Sequence, residues 1–189
     1  MSIVRRLLAR LLARLPARLL ACLPARLLAT GLALAAAATV AACTTPAARP
    51  STPAPRLVET SLAPLGGGAP RSLHEVASGR PMLIDMYATW CDGCRKQIAG
   101  LEALAARLGD RAVVVGVDVG DELDVARTFA TREGIAYPTF ADPEFTFADA
   151  MAVSDLPHLM VVDHDGAVVH RSQKLDADTE AVIERLIAP

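Results

Sequence analysis

Cysteine is sparse: the 189 residues hold four, at positions 22, 43, 91 and 94. The first two belong to an N-terminal apolar stretch or its end. That leaves Cys91 and Cys94 alone in the body of the chain and excludes a framework of structural disulfides. A second Cys-x-x-Cys is missing, and His74, His158, His164 and His170 show no ligand spacing, so no zinc site is expected. Acids are absent from residues 1–43, where Arg5, Arg6, Arg10, Arg14, Arg18 and Arg26 stand. The other 13 basic residues and all 21 acids fall in residues 44–189, which therefore carry a net charge of −8. An acidic body without basic clusters excludes nucleic acid as a partner.

The apolar run over residues 27–42 is too short for a typical membrane span but has the length and basic flank of a secretory signal. It ends in Val40-Ala41-Ala42-Cys43, which resembles a bacterial lipobox. That resemblance implies cleavage before Cys43, lipidation of Cys43, and a domain held at a membrane outside the cytoplasm. A single-pass anchor that happens to contain a cysteine is the alternative. Residues 43–56, rich in Pro, Ala and Thr, have almost nothing to bury and are expected to be an extended tether. Residues 57–189 then form one domain, large enough to bury its own core.

Within that domain apolar runs and helical patterns alternate. Strands are expected over 81–87 and 112–119, helices over 91–108 and 122–133, and an extended piece over 137–141. A helical turn or two follows over 144–151. A hairpin over 159–163 and 167–171 and a helix over 178–187, capped by Asp176 or Asp178, close the chain.

The stretch Met82-Leu83-Ile84-Asp85-Met86-Tyr87-Ala88-Thr89-Trp90-Cys91-Asp92-Gly93-Cys94 runs from a strand through a turn into a helix start. Two thiols three positions apart there can close a small-ring disulfide, and the helix N-terminus favours a thiolate on Cys91. Thiol–disulfide exchange is the chemistry this arrangement suits. Asp92 adds a negative charge beside Cys91, which opposes the dipole and argues for a reductant rather than an oxidant.

This W-C-x-x-C at a strand end resembles the thioredoxin superfamily, most closely its TlpA-like reductases and the carboxy-terminal domain of the DsbD reductase. The resemblance implies an α/β thioredoxin-like fold: a central mixed sheet flanked by helices, with a TlpA-like inserted helix and strand between about residues 121 and 147. It implies Cys91 as the attacking thiol and Cys94 as the resolving thiol, their disulfide being the redox centre with no other cofactor. Asp85 matches the family's buried proton-relay acid, the alternative being a strand-end Asp facing water. Pro157, in Asp155-Leu156-Pro157-His158, matches the cis-proline that presents the preceding residue, Leu156, to a substrate. Trp90, which with Leu156 is expected to bind substrate, and Tyr87 are expected as the apolar surround of the thiols, plain core packing being the alternative for both. The T-x-x-C of peroxiredoxins is not met, since Ala88 stands where Thr is needed. A Glu and a kinking Pro usual after the second cysteine in TlpA-like helices are replaced by Arg95-Lys96-Gln97-Ile98-Ala99, and no lysine partner for Asp85 is evident in residues 113–119.

The expected protein is therefore a monomeric, lipid-anchored, extracytoplasmic reductase of protein disulfides. A membrane thiol reductase would be its electron donor, and cytochrome c maturation or disulfide repair a setting for it. A disulfide-forming oxidase and a non-catalytic copper-delivery or peptide-binding lipoprotein are the rival readings.

Overall fold

Two apolar runs form the middle of the sheet. β3 (Met82–Tyr87) and β4 (Val113–Val119) are buried at every position, as befits strands covered on both faces. They pair in parallel, with Ile84 opposite Val115, Asp85 opposite Gly116 and Tyr87 opposite Asp118. The computed structural model describes residues 55–189; the expected signal segment, Cys43 and the expected tether up to residue 54 lie outside them.

β1 (Ser61–Pro64), β2 (Arg71–Ser72), β5 (Thr139–Asp142), β6 (His158–Val162) and β7 (Val168–Ser172) complete the sheet, in the order β2-β1-β5-β4-β3-β6-β7. β5 is parallel to β4, and β6 and β7 form an antiparallel hairpin against β3. This is an α/β thioredoxin-like fold with a mixed sheet. The helix and strand expected as an insert are α3 (Leu123–Glu133) and β5.

Side-chain alternation sorts the helices onto two faces. Met82, Ile84 and Met86 point toward α1 (Leu73–Ala77) and α4 (Thr146–Ala150), joining Leu73, Phe147 and Ala148. Leu83 points the other way, toward α2 (Asp92–Leu108) and α5 (Ala177–Leu186), where it meets Leu101, Leu104, Leu108 and Ile183. The spacing of Ile98, Leu101, Leu104 and Leu108 gives α2 one apolar stripe, all of it buried. Each fully buried leucine there contributes about 1.5–3 kcal/mol. Asp176 caps α5, accepting from the Thr179 N–H at 3.0 Å.

Residues 57–80 carry structure that no periodicity marks. β1 and β2 are too short to show alternation and are joined by the Gly/Pro-rich stretch 64–70. β1 adds to the sheet edge antiparallel to β5, Ala63 opposite Ala141. Pro55 and Arg56 already engage the β6–β7 turn: Val168 N–H donates to the Pro55 carbonyl at 2.8 Å, and Arg56 bridges Ala167.

Candidate active site

Cys91 and Cys94 are joined by a disulfide at the start of α2. Cys91 is the helix N-cap, and its Sγ accepts from the Cys94 backbone N–H at 3.1 Å. Cys91 keeps a little exposure, 7%, while Cys94 is 1% exposed, so an incoming group reaches the first sulfur before the second. The Leu156–Pro157 peptide is cis. The Pro157 ring lies against Gly93: a Cβ there would stand 3.2 Å from Pro157 Cδ, close enough that the proline would have to yield by a few tenths of an ångström. Leu156 is partly buried against the cluster of Tyr87, Ala88, Cys91, Cys94, Ile98 and Phe129. Trp90 is 69% exposed, whereas Tyr87 is buried and stacks on Phe129 with ring centroids 5.7 Å apart.

Asp85 is wholly buried, on the face of β3 that meets α2. Its Oδ1 accepts from Gln97 Nε2 and its Oδ2 from the Tyr137 hydroxyl, each at 3.2 Å. Burial raises its pKa to about 7, the two hydrogen bonds pulling in the opposite direction. Tyr137 is thus a hydrogen-bond partner of the buried acid, for which no lysine stands in β4. Its reach depends on Gly116, where a Cβ would meet Thr139 Cγ2 at 2.8 Å, Tyr87 Cε1 at 3.0 Å and Tyr137 Cε2 at 3.1 Å. Only a bare backbone at Gly116 lets both tyrosine rings lie over β4.

Arg95 binds the segment around the thiols from outside. Its Nη1 donates to Asp92 Oδ1 at 2.9 Å and its Nη2 to the Thr89 carbonyl at 3.2 Å, and Nε lies 3.3 Å from Glu133 Oε1. The guanidinium also sits over the Phe129 ring, 5.6 Å from its centroid. The Asp92 charge is thus offset one helical turn on, so its opposition to a Cys91 thiolate is weaker than the bare sequence implies.

Asp118, a second buried carboxylate, lies on the same sheet face opposite Tyr87. Neither of its oxygens, nor the Tyr87 hydroxyl, has a hydrogen-bond partner among the described residues. Burial, and then the charge of Asp121, raise Asp118 to about 8. Burial raises Tyr87 above the usual tyrosine range, reinforced by Asp118, Asp85 and Asp121. Asp121 itself accepts from the Thr89 N–H at 2.7 Å.

The structure thus brings Cys91, Cys94, Pro157, Leu156 and Asp85 around the start of α2, and leaves the Trp90 indole in solvent beside them. Gln97, Tyr137, Arg95 and Asp118 were not singled out from the sequence. Asp118 carries the signal that marked Asp85, an acid inside an apolar strand. Among the described residues no group of three or more His, Cys, Asp or Glu is placed to hold a metal ion.

A family model described as AhpC/TSA family matches residues 52–171. Over 129 residues the chain is 31% identical to the thiol:disulfide interchange protein HelX of Rhodobacter capsulatus, covering 68% of this chain and 70% of HelX. Over 77 residues it is 35% identical to the chloroplastic thioredoxin-like protein CITRX of Solanum tuberosum, of which it spans 43%. Among solved structures, MTB dsbF superposes with a TM-score of 0.62 at 19% identity, covering 71% of this chain and 99% of that one. By its family match and its fold, the chain belongs to the AhpC/TSA family of the thioredoxin superfamily, with the architecture of TlpA- and DsbE-like members.

Proposed function

We propose that this chain is an extracytoplasmic thiol–disulfide oxidoreductase that reduces protein disulfides. The observation that carries the reading is the Cys91–Cys94 disulfide at the N-terminus of α2 with a buried acid, Asp85, hydrogen bonded to the same helix. In the reduced state the Cys91 thiolate attacks one sulfur of a substrate disulfide. The other substrate sulfur leaves as a thiolate and takes up a proton. The Cys94 thiol then passes its proton to Asp85 and attacks Cys91 Sγ. The mixed disulfide breaks, the second substrate sulfur departs, and the Cys91–Cys94 bond closes. Two electrons have moved from the pair to the substrate. A dithiol donor must return them, and a membrane thiol reductase fits that need.

An acid near neutrality suits this exchange, because it accepts the thiol proton in one half-cycle and gives it back in the other. Pro157, Leu156 and the exposed Trp90 supply the surface on which a substrate backbone lies. Ala88, where the peroxiredoxin T-x-x-C motif needs Thr, argues against peroxide as the oxidant. The lipobox-like ending at Cys43 and the Pro-rich stretch that follows support a lipid anchor and tether, holding the domain at the outer side of a membrane. Apocytochrome and mispaired-protein disulfides are the substrates such a location offers.

The test is an equilibrium titration of the pair against glutathione or dithiothreitol, with turnover of a disulfide peptide followed in parallel. A potential near thioredoxin's, about −270 mV, together with peptide reduction is the expected result. A value near about −120 mV would move the reading to an oxidase, and failure of the pair to cycle would overturn exchange altogether.

A further inference from the structure

We propose that the cleft between the α4–β6 loop and the β7–α5 turn is a subsite for carboxylate side chains of a protein substrate, with Arg171 as the recognising cation. The proposal rests on the exchange reading above and adds to it a substrate class. The cleft, of about 680 Å³, is walled by Ser154, Asp155 and His158 on one side and by Arg171, Ser172 and Lys174 on the other. His158 and Arg171, level with Met86 and Met160 in the sheet, project on the face turned from α2, but both walls run on in sequence to residues that touch that helix. His158 directly follows cis-Pro157, whose ring lies on Gly93 between the cysteines. Lys174 directly precedes Leu175, whose N–H is held by Gln97 of α2 at 3.0 Å.

Arg171 is half-buried and has no carboxylate partner among the described residues, in contrast to Arg95, Arg107, Arg127 and Arg132; Arg56, Arg71, Arg80 and Arg111 also lack one but donate to backbone carbonyls, which Arg171 does not. Its side-chain contact is with His158, Nη1 to Nε2 at 3.3 Å. A guanidinium has only donors, so the imidazole must accept and is therefore neutral. Burial and the Arg171 charge both hold His158 below its ordinary pKa. His158 thus orients the guanidinium without neutralising it. A half-buried cation lacking a counter-ion carries a desolvation penalty that an incoming carboxylate offsets with charge-assisted hydrogen bonds.

Lys174 adds a second positive group at the cleft wall, 77% exposed and 3.9 Å from its nearest acid, Asp176. The acid on the opposite wall, Asp155, is exposed and takes a hydrogen bond from Ser154. Residues 1–58 hold no acid and offer no occupant of this kind. An acidic segment flanking a substrate cystine is the source that the exchange chemistry favours.

The experiment uses the full chain, reduced, with two disulfide peptides that differ only in Glu or Gln beside the cystine. The Glu peptide is expected to show a KM about tenfold lower at low salt, with kcat alike, and the gap is expected to narrow at about 0.5 M NaCl. In Arg171→Gln the ratio of the two KM values falls toward one, while Arg171→Lys keeps most of it. Equal KM values in the unaltered chain, or an Arg171→Gln variant that raises both alike, would overturn the subsite. If neither peptide is reduced, exchange fails on its own. The subsite is then decided by fluorescence anisotropy on the same peptides with serine for cysteine: tighter binding of the Glu form supports it, and equal affinity sinks it.

Discussion

Gln97 grips Asp85 from the helix that carries the cysteines, its Nε2 donating to Oδ1 at 3.2 Å while its Oε1 accepts the Leu175 N–H at 3.0 Å. The Leu175 N–H fixes which way the amide faces, because only the oxygen can receive it. Its NH2 must then turn to the carboxylate. One side chain therefore links the buried acid, α2 and the segment leading into α5.

The first prediction concerns pH and stability. In the folded protein Asp85 titrates near 7, against an ordinary 3.8. Between those values the folded state holds a proton that the unfolded chain has released, so this group's contribution to stability falls as pH rises through that window and levels off above it. Asp85→Asn removes the dependence. Thermal melts should show little difference near pH 4 and an advantage for the variant that widens toward pH 8, on the order of a few kcal/mol at most. A gap that does not change with pH would contradict the assignment. The same variant should accumulate mixed disulfide, since Cys94 loses its proton acceptor.

Tyr137→Phe keeps the ring and deletes one of the two donors to Asp85. The ionised carboxylate loses support, so its pKa rises further. The pH midpoint of the resolving step should move up by roughly one unit, the worth of a single hydrogen bond to a charged group. An unchanged midpoint in stopped-flow measurements would separate Tyr137 from the proton path.

Arg95 and Asp92 should shift the reduction potential in opposite directions. Arg95→Gln leaves the Asp92 charge beside a Cys91 thiolate, disfavours the reduced form and makes the pair more reducing. Asp92→Asn does the reverse. Both side chains are substantially exposed, so each change should amount to roughly 5–20 mV and shrink with added salt. Shifts of the same sign in a glutathione titration would refute the charge-balance account.

Gly116→Ala should destabilise the fold by about 1–3 kcal/mol, because the new methyl meets Thr139 Cγ2 and both tyrosine rings. Thr139→Ser removes the closest of those atoms and should recover part of the loss in denaturant titrations. Tyr137 must also shift, so the Asp85 pH midpoint should rise in the alanine variant as it does in Tyr137→Phe.

The elements from Met82 onward were legible because each announces itself locally: β3 and β4 by unbroken apolar runs, α2 by the spacing of Ile98, Leu101, Leu104 and Leu108. The cysteines and Asp85 stood out for the same reason, being polar or reactive residues where an apolar pattern leaves no room for chance. Tyr137 did not. Its hydroxyl meets Asp85 across 52 positions of sequence, a distance that only the insertion of β5 beside β4 closes. Gln97 reads as one more polar residue on a helix until the sheet is packed beneath it. β1 and β2 are shorter than the period that would reveal them, and they take their place from the edge that β5 offers.

Trp90, the chain's sole tryptophan, is 69% exposed and covalently adjacent to Cys91. Disulfides quench neighbouring indole emission, and no second indole adds background. The protein therefore carries an intrinsic optical gauge of its oxidation state: emission should brighten when the pair is reduced and dim when it closes. Each half-reaction can then be timed in a stopped-flow cell without a label, a coupled enzyme or a coloured substrate.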